Sequence, residues 1–179
     1  IGFLLLMWPV LWAFIVSADG LPNLFYMTIF AVGIIITRSA GCIINDYFDQ
    51  DFDLKVERTK NRVLATKQVS NQEALILFGL LIILSFILLL MLELKIILLA
   101  IFSLFLLVIY PLTKRYFKIP QLILGMAFGS SIPMVFILEK GVIDYNCIIL
   151  YISTILWAVV YDTYYAMADK KDDKKIGIK

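Results

Sequence analysis

Asn45-Asp46-Tyr47-Phe48-Asp49-Gln50-Asp51-Phe52-Asp53 follows directly on an apolar run from Leu24 to Ile44. A run of that length can cross a bilayer as one helix. Acidic side chains crowded at its end are costly there and mark a functional site by default. If the helix continues through the acidic stretch, Asn45, Asp49 and Asp53 recur at i, i+4 and i+8 and share one face. Successive members then sit ~6 Å apart and the row spans ~12 Å. This is long for one ion but suits one or two divalent ions with a ligand between them. Oxygen donors favour Mg²⁺, Mn²⁺ or Ca²⁺ over zinc. Asp49, Asp51 and Asp53 also alternate as in the start of an EF-hand. That reading fails because Leu54 stands where the turn glycine belongs and Lys60 where the bidentate glutamate belongs. A solvated acidic cap is the bland alternative, and this stretch alone does not choose between them.

The remainder of the chain supplies the context. Of its 179 residues, 62% are hydrophobic and only 17% are charged. Soluble domains carry about 25% charged residues, so an all-α integral membrane protein, a multi-helix transmembrane bundle, is expected. Apolar runs of membrane-spanning length occur about six times, roughly at residues 1–17, 22–46, 72–92, 94–112, 119–138 and 145–168. Glu93-Leu94-Lys95 is short enough to make the third and fourth a helical hairpin. Histidine is absent, which removes imidazole metal ligands and histidine acid–base chemistry. Cys42 and Cys147 are expected near opposite membrane faces, with no disulfide between them. Gly125 and Gly129 form a small-xxx-small pattern that lets helices approach closely, and Pro133 is expected to kink the fifth span. The chain starts at Ile1 inside an apolar run and stops at Lys179 just after a charged cluster. It is therefore read as one transmembrane domain over residues 1–179, truncated at both ends.

Charge placement orients the bundle. Lys55, Arg58, Lys60, Arg62 and Lys67 follow the second span, Lys114, Arg115 and Lys118 follow the fourth, and five lysines follow the sixth. Only Lys95 and Lys140 lie on the other side. An excess of Lys and Arg marks the cytoplasmic side. A second acidic row, Asp162, Asp169 and Asp173, then ends the sixth span on that same side, within about 40° of arc. Two acidic rows facing each other across a bundle make a metal site. Four ionised carboxylates, Asp49, Asp53, Asp169 and Asp173, cannot lie close together without cations. Mg²⁺ held by a few carboxylates keeps positions open for phosphate oxygens, and the nearby arginines suit phosphate or carboxylate. Together they read as a diphosphate site, and a diphosphate inside a membrane needs a greasy tail such as a polyprenyl chain. Arg38, two turns before Asn45 and inside a span, either pairs internally, snorkels, or orients an anionic acceptor or the diphosphate.

Asn45-Asp46-x-x-Asp49-x-x-x-Asp53 and Asp162-x-x-Tyr165-Ala166-x-x-Asp169-x-x-x-Asp173 resemble the paired motifs of the UbiA superfamily of membrane prenyltransferases. Flanking segments such as Leu5-Leu6-Met7-Trp8-Pro9, Arg38-Ser39-Ala40-Gly41-Cys42 and Ala127-Phe128-Gly129-Ser130-Ser131-Ile132-Pro133 are similar to the bacterial 4-hydroxybenzoate polyprenyltransferases within it. The sequence departs from that pattern at Val63, where the family usually has proline, and at Ala65 to Lys67, where it has a Pro-Ser-Gly turn. The resemblance implies a fold of about nine helices, of which this chain has room for about six. It implies Mg²⁺-dependent transfer of a polyprenyl group from polyprenyl diphosphate to the ring carbon ortho to the hydroxyl of 4-hydroxybenzoate, in the bacterial inner membrane and facing the cytoplasm. It further implies that Asn45, Asp49 and Asp53 hold one metal, and Asp169 and Asp173 the other. Asp46, Asp162 and Arg115 become catalytic or supporting candidates. Arg38, Arg62, Lys114, Arg115 and Tyr165 become contacts to diphosphate or carboxylate. The partners implied are the two substrates and the lipid bilayer, with no nucleic acid. Alternatives are a related enzyme for homogentisate or haem, and, in a different class, a cation transporter, whose sites lie nearer the bilayer midplane.

Overall fold

A computed structural model describes residues 2–57, 59–117 and 119–176, except for the side chains of residues 114, 115 and 168–176. The described chain is helical throughout its ordered elements: α1 (Gly2–Ser17), α2 (Leu24–Asp53), α3 (Asn71–Leu89), α4 (Leu94–Tyr116), α5 (Gln121–Gly129), α6 (Ser131–Lys140) and α7 (Tyr145–Ile176). Lipid offers backbone groups no hydrogen-bond partners, so each span must satisfy its own, which a helix does. Five helical stretches are long and apolar enough to cross a membrane: Leu24–Asp53, Asn71–Leu89, Leu94–Thr113, Gln121–Lys140 and Tyr145–Met167. The first expected span, α1, has 16 residues and is shorter than these.

Local chemistry sets the ends. Asn23 caps α2 by accepting from the backbone N–H groups of Phe25 and Tyr26. Ser70 and Glu73 form a reciprocal capping box at the start of α3. The expected kink in the fifth span is a one-residue interruption between α5 and α6 at Ser130, whose backbone keeps helical angles (φ −60°, ψ −22°). Pro133 has no N–H to give Gly129, and its ring crowds that carbonyl. Asp144 caps α7, its Oδ1 accepting from the Cys147 N–H at 2.9 Å. That bond holds the Asp144 carboxyl below its ordinary pKa. Cys42 and Cys147 are both free thiols.

The core forms where α6 meets α1. Ile132, Val135 and Phe136 are fully buried, as are Ala13 and Phe14. Phe14 meets Phe30 of α2 edge-on at 5.6 Å. Glu139, at the far end of α6, accepts the Asn23 N–H at 3.0 Å and so ties α6 to the start of α2. Packing of α2 on α3 and of α5 on α7 completes the bundle.

The segment after α2 folds back as a series of turns in which Val56, Leu64 and Ala65 are buried. Lys67 ends it at φ 56°, the left-handed conformation that glycine adopts without penalty. This is the position where the resembled family has a glycine turn. Lys67→Gly should therefore stabilise the protein by about 0.5 kcal/mol, the relief of left-handed strain less the extra entropy of glycine in the unfolded chain. Thermal unfolding in detergent measures it, and a lower midpoint would contradict the strain.

Candidate active site

The acidic stretch is helical to its end, since α2 closes at Asp53. Its side chains line one arc of about 100°: Asn45, Asp49 and Asp53 step round by about 40° each, and Asp46 falls about 20° beyond Asp53. Asn45 and Asp49 make a first pair at one edge of that arc, and Asp46 and Asp53 a second pair at the other. Arg62, from the turns after α2, bridges the second pair. Its Nη1 donates to Asp46 Oδ1 at 2.7 Å and to Asp53 Oδ2 at 2.9 Å. Thr59 Oγ1 donates to the Asp53 backbone carbonyl at 3.1 Å and fastens the same corner. The Asp53 carboxylate, expected in the metal row with Asn45 and Asp49, thus has an arginine partner. Arg62, expected to meet substrate, is engaged with the row itself.

These side chains are 30%, 25% and 10% exposed for Arg62, Asp46 and Asp53, so water screens the pair only in part. Removing one partner strands the charges that remain. Arg62→Ala should cost about 2 kcal/mol, a figure lowered for that partial exposure. Adding Asp53→Asn to the variant should recover part of the loss in a thermal melt. No recovery would mean that Arg62 acts through its packing instead.

The first edge of the arc meets α4 and α7. The Tyr110 hydroxyl hydrogen-bonds the Asp162 carboxylate, and the charges of Asp49 and Arg38 both reach it. Arg38 and Asp162 act on Tyr161 as well. Asp49, Tyr110 and Asp162, far apart in the chain, therefore gather at one end of the bundle. Tyr110 was not singled out from the sequence, where it sits among apolar residues just before Pro111. Tyr165 lies one turn beyond Tyr161, their hydroxyls 3.1 Å apart. An aromatic ladder runs back from them through Trp157, stacked on Tyr161 at 5.3 Å, to Phe128 of α5. Asp169 and Asp173 stand on the continuing α7 backbone, and Lys114 and Arg115 on the last turn of α4. The side chains of all four lie outside the described residues.

The donors near Tyr110 are all oxygen, which fits a hard divalent cation. Among the described residues, no three His, Cys, Asp or Glu side chains gather closely enough to hold a metal by themselves.

A multi-pass membrane bundle with acidic rows closing two of its helices at one end is the class that fold and site define. The chain belongs to the UbiA prenyltransferase family, which residues 6–179 match. It is 48% identical over all 179 residues to the 4-hydroxybenzoate octaprenyltransferase of Photobacterium profundum, covering 62% of that protein. Against the 4-hydroxybenzoate octaprenyltransferase of an Azoarcus species it is 53% identical, again over its whole length and 62% of the relative. The chain thus spans less than two thirds of the length of these curated relatives. Among solved structures, the apo form of a UbiA homologue from Aeropyrum pernix superposes with a TM-score of 0.81 at 23% identity, over 98% of this chain and 66% of that one. A digeranylgeranylglyceryl phosphate synthase gives 0.77 at 21% identity, over 97% of this chain and 61% of that one. Both share the fold.

Proposed function

We propose that this chain carries the catalytic end of a 4-hydroxybenzoate polyprenyltransferase. The enzyme moves a polyprenyl group from its diphosphate to the ring carbon ortho to the hydroxyl. The product is 3-polyprenyl-4-hydroxybenzoate, a ubiquinone precursor. The observation that carries the reading is the meeting of α2 and α7 at Asp49, Tyr110 and Asp162. The names and identities of the relatives support the choice of acceptor. The excess of Lys and Arg around the acidic end supports a cytoplasm-facing site in a bacterial inner membrane.

In this reading Asn45, Asp49 and Asp53 hold one metal, and Asp169 and Asp173 the other. Mg²⁺, when bound, neutralises the diphosphate and makes it a better leaving group. Lys114, Arg115 and Tyr165 contact the diphosphate and stabilise the charge that develops as the allylic carbon–oxygen bond breaks, while Arg62 holds Asp46 and Asp53. Arg38 takes the acceptor carboxylate. The ring carbon attacks the allylic cation, and the proton it then loses passes to a carboxylate, with Asp162 and Asp46 as candidates. The domain is a single transmembrane unit.

The test is transfer from a polyprenyl diphosphate to radiolabelled 4-hydroxybenzoate by the full-length protein in membranes. Product should form with Mg²⁺, vanish on chelation and return on Mg²⁺ addition. Product from homogentisate but not from 4-hydroxybenzoate would keep the family and discard the acceptor. No transfer by a folded protein would discard the enzyme reading.

A further inference from the structure

The reaction as described leaves one polar group near the site without a task, the hydroxyl of Tyr161. Trp157, Tyr161 and Tyr165 recur at i, i+4 and i+8 and so line one edge of α7. Trp157 stacks on the Tyr161 ring at 5.3 Å with 20° between the planes, and Tyr165 leans on it from the next turn at 5.0 Å and 48°. Phe128 of α5 braces Trp157 at 5.8 Å. The Tyr161 ring is thus held by a neighbour one turn before it and another one turn after. A phenylalanine would serve that packing as well, so the hydroxyl needs its own account.

A hydroxyl near lipid is costly unless it finds an acceptor. Thr163 solves this within its own helix by donating to the Val159 carbonyl at 2.6 Å. The ring of Tyr161 carries its hydroxyl too far out for that. Tyrosines of the interfacial belt send theirs to the headgroup level. Tyr161 instead donates to the Tyr165 hydroxyl at 3.1 Å. A hydroxyl has one hydrogen to give. Because Tyr165 accepts from Tyr161, its own hydrogen is given in another direction, and α7 continues on that side toward Asp169 and the acidic end. The charges of Arg38 and Asp162 both act on Tyr161, so the hydroxyl pair faces the gap between α2 and α7. A hydroxyl that accepts one hydrogen bond donates a stronger second one.

We propose that Tyr161 is a positioning residue for the leaving group, and that its hydrogen bond to Tyr165 aims the Tyr165 hydroxyl at the diphosphate as a donor. The inference rests on the prenyl-transfer reading, in which Tyr165 contacts the diphosphate. As the allylic carbon–oxygen bond breaks, its electron pair stays on the diphosphate oxygen, and the Tyr165 hydroxyl donates a hydrogen bond to the diphosphate as that charge grows. No proton is transferred, and Tyr161 never touches the substrate. Its part is to fix the Tyr165 hydroxyl before the substrate arrives, so that no reorientation is needed as charge develops. The stack on Trp157 and Phe128 holds Tyr161 in place for this.

The test uses the full-length protein with two readouts, transfer kinetics in membranes and calorimetric binding of inorganic diphosphate with Mg²⁺ in detergent. Tyr161→Phe keeps the ring and removes only the donor. It should lower kcat and weaken diphosphate binding about fivefold each, the scale of one neutral hydrogen bond. KM for 4-hydroxybenzoate and the thermal midpoint should stay as they are. In a Tyr165→Phe background, adding Tyr161→Phe should cost nothing more, because the first change has already removed the group through which Tyr161 acts. Unchanged diphosphate binding in Tyr161→Phe would overturn the proposal, as would a full further loss in the double variant. A loss of transfer that tracks a lower thermal midpoint would reduce Tyr161 to packing and overturn it too. Diphosphate binding that depends on both hydroxyls in a protein that transfers no prenyl group would support the pair and discard the transferase reading.

Discussion

Asp49→Ala and Asp169→Ala should each lower prenyl transfer by the full-length protein by about 10²–10³-fold, the usual scale when one preorganised electrostatic contact to the leaving charge is removed. The charge of Asp49 on α2 reaches the Tyr110 hydroxyl that is hydrogen-bonded to Asp162, and Asp169 lies about two turns beyond Asp162 on α7. Each belongs to a different row, so a two-row site loses function when either is removed. Stability should not fall with activity, because like charges held together repel in the absence of a cation. Asp51→Ala is the internal control. Asp51 is exposed on the opposite side of the same helical turn, and its loss should change transfer little. Full activity in either row variant would sink the two-row assignment. Equal losses at Asp51 would point to bulk surface charge instead.

The largest effect on stability is expected at Gly125. A Cβ there would sit 2.9 Å from the Ile155 carbonyl oxygen and 3.0 Å from the Ile155 Cα, both backbone atoms of α7. Backbone cannot swing aside as a side chain can, so α5 and α7 must separate. Gly125→Leu should cost about 3 kcal/mol, at the upper end for overpacking. Gly129 is more forgiving, because its nearest neighbour is the ring of Tyr151. Gly79 on α3 has nothing within 4 Å of its added Cβ, so Gly79→Ala should gain about 0.5–1 kcal/mol from helix propensity alone. Thermal unfolding of Gly125→Leu, Gly129→Leu and Gly79→Ala in one detergent gives the order directly. Separation of α5 from α7 should also disturb the Phe128–Trp157 contact at 5.8 Å and reduce transfer. A Gly125 variant as stable as Gly79→Ala would show that the two helices are not held so closely.

Much of the architecture was legible from single segments, for a physical reason. In lipid a span must satisfy its own backbone, so length and apolarity alone identify it. The Leu24–Asp53 helix, the α3–α4 hairpin and the break near Pro133 all follow from local chemistry. The acidic residues at the ends of α2 and α7 were visible because charges there have few structural uses. Contacts between helices were another matter. Lipid tails are as apolar as the side chains that face them, so little in the residue pattern says which face meets which partner. Only the tertiary structure paired Asp46 and Asp53 with Arg62. It alone brought Tyr110 from α4 onto Asp162. Each of these joins residues distant in the chain, and which ones meet is decided by how the helices pack.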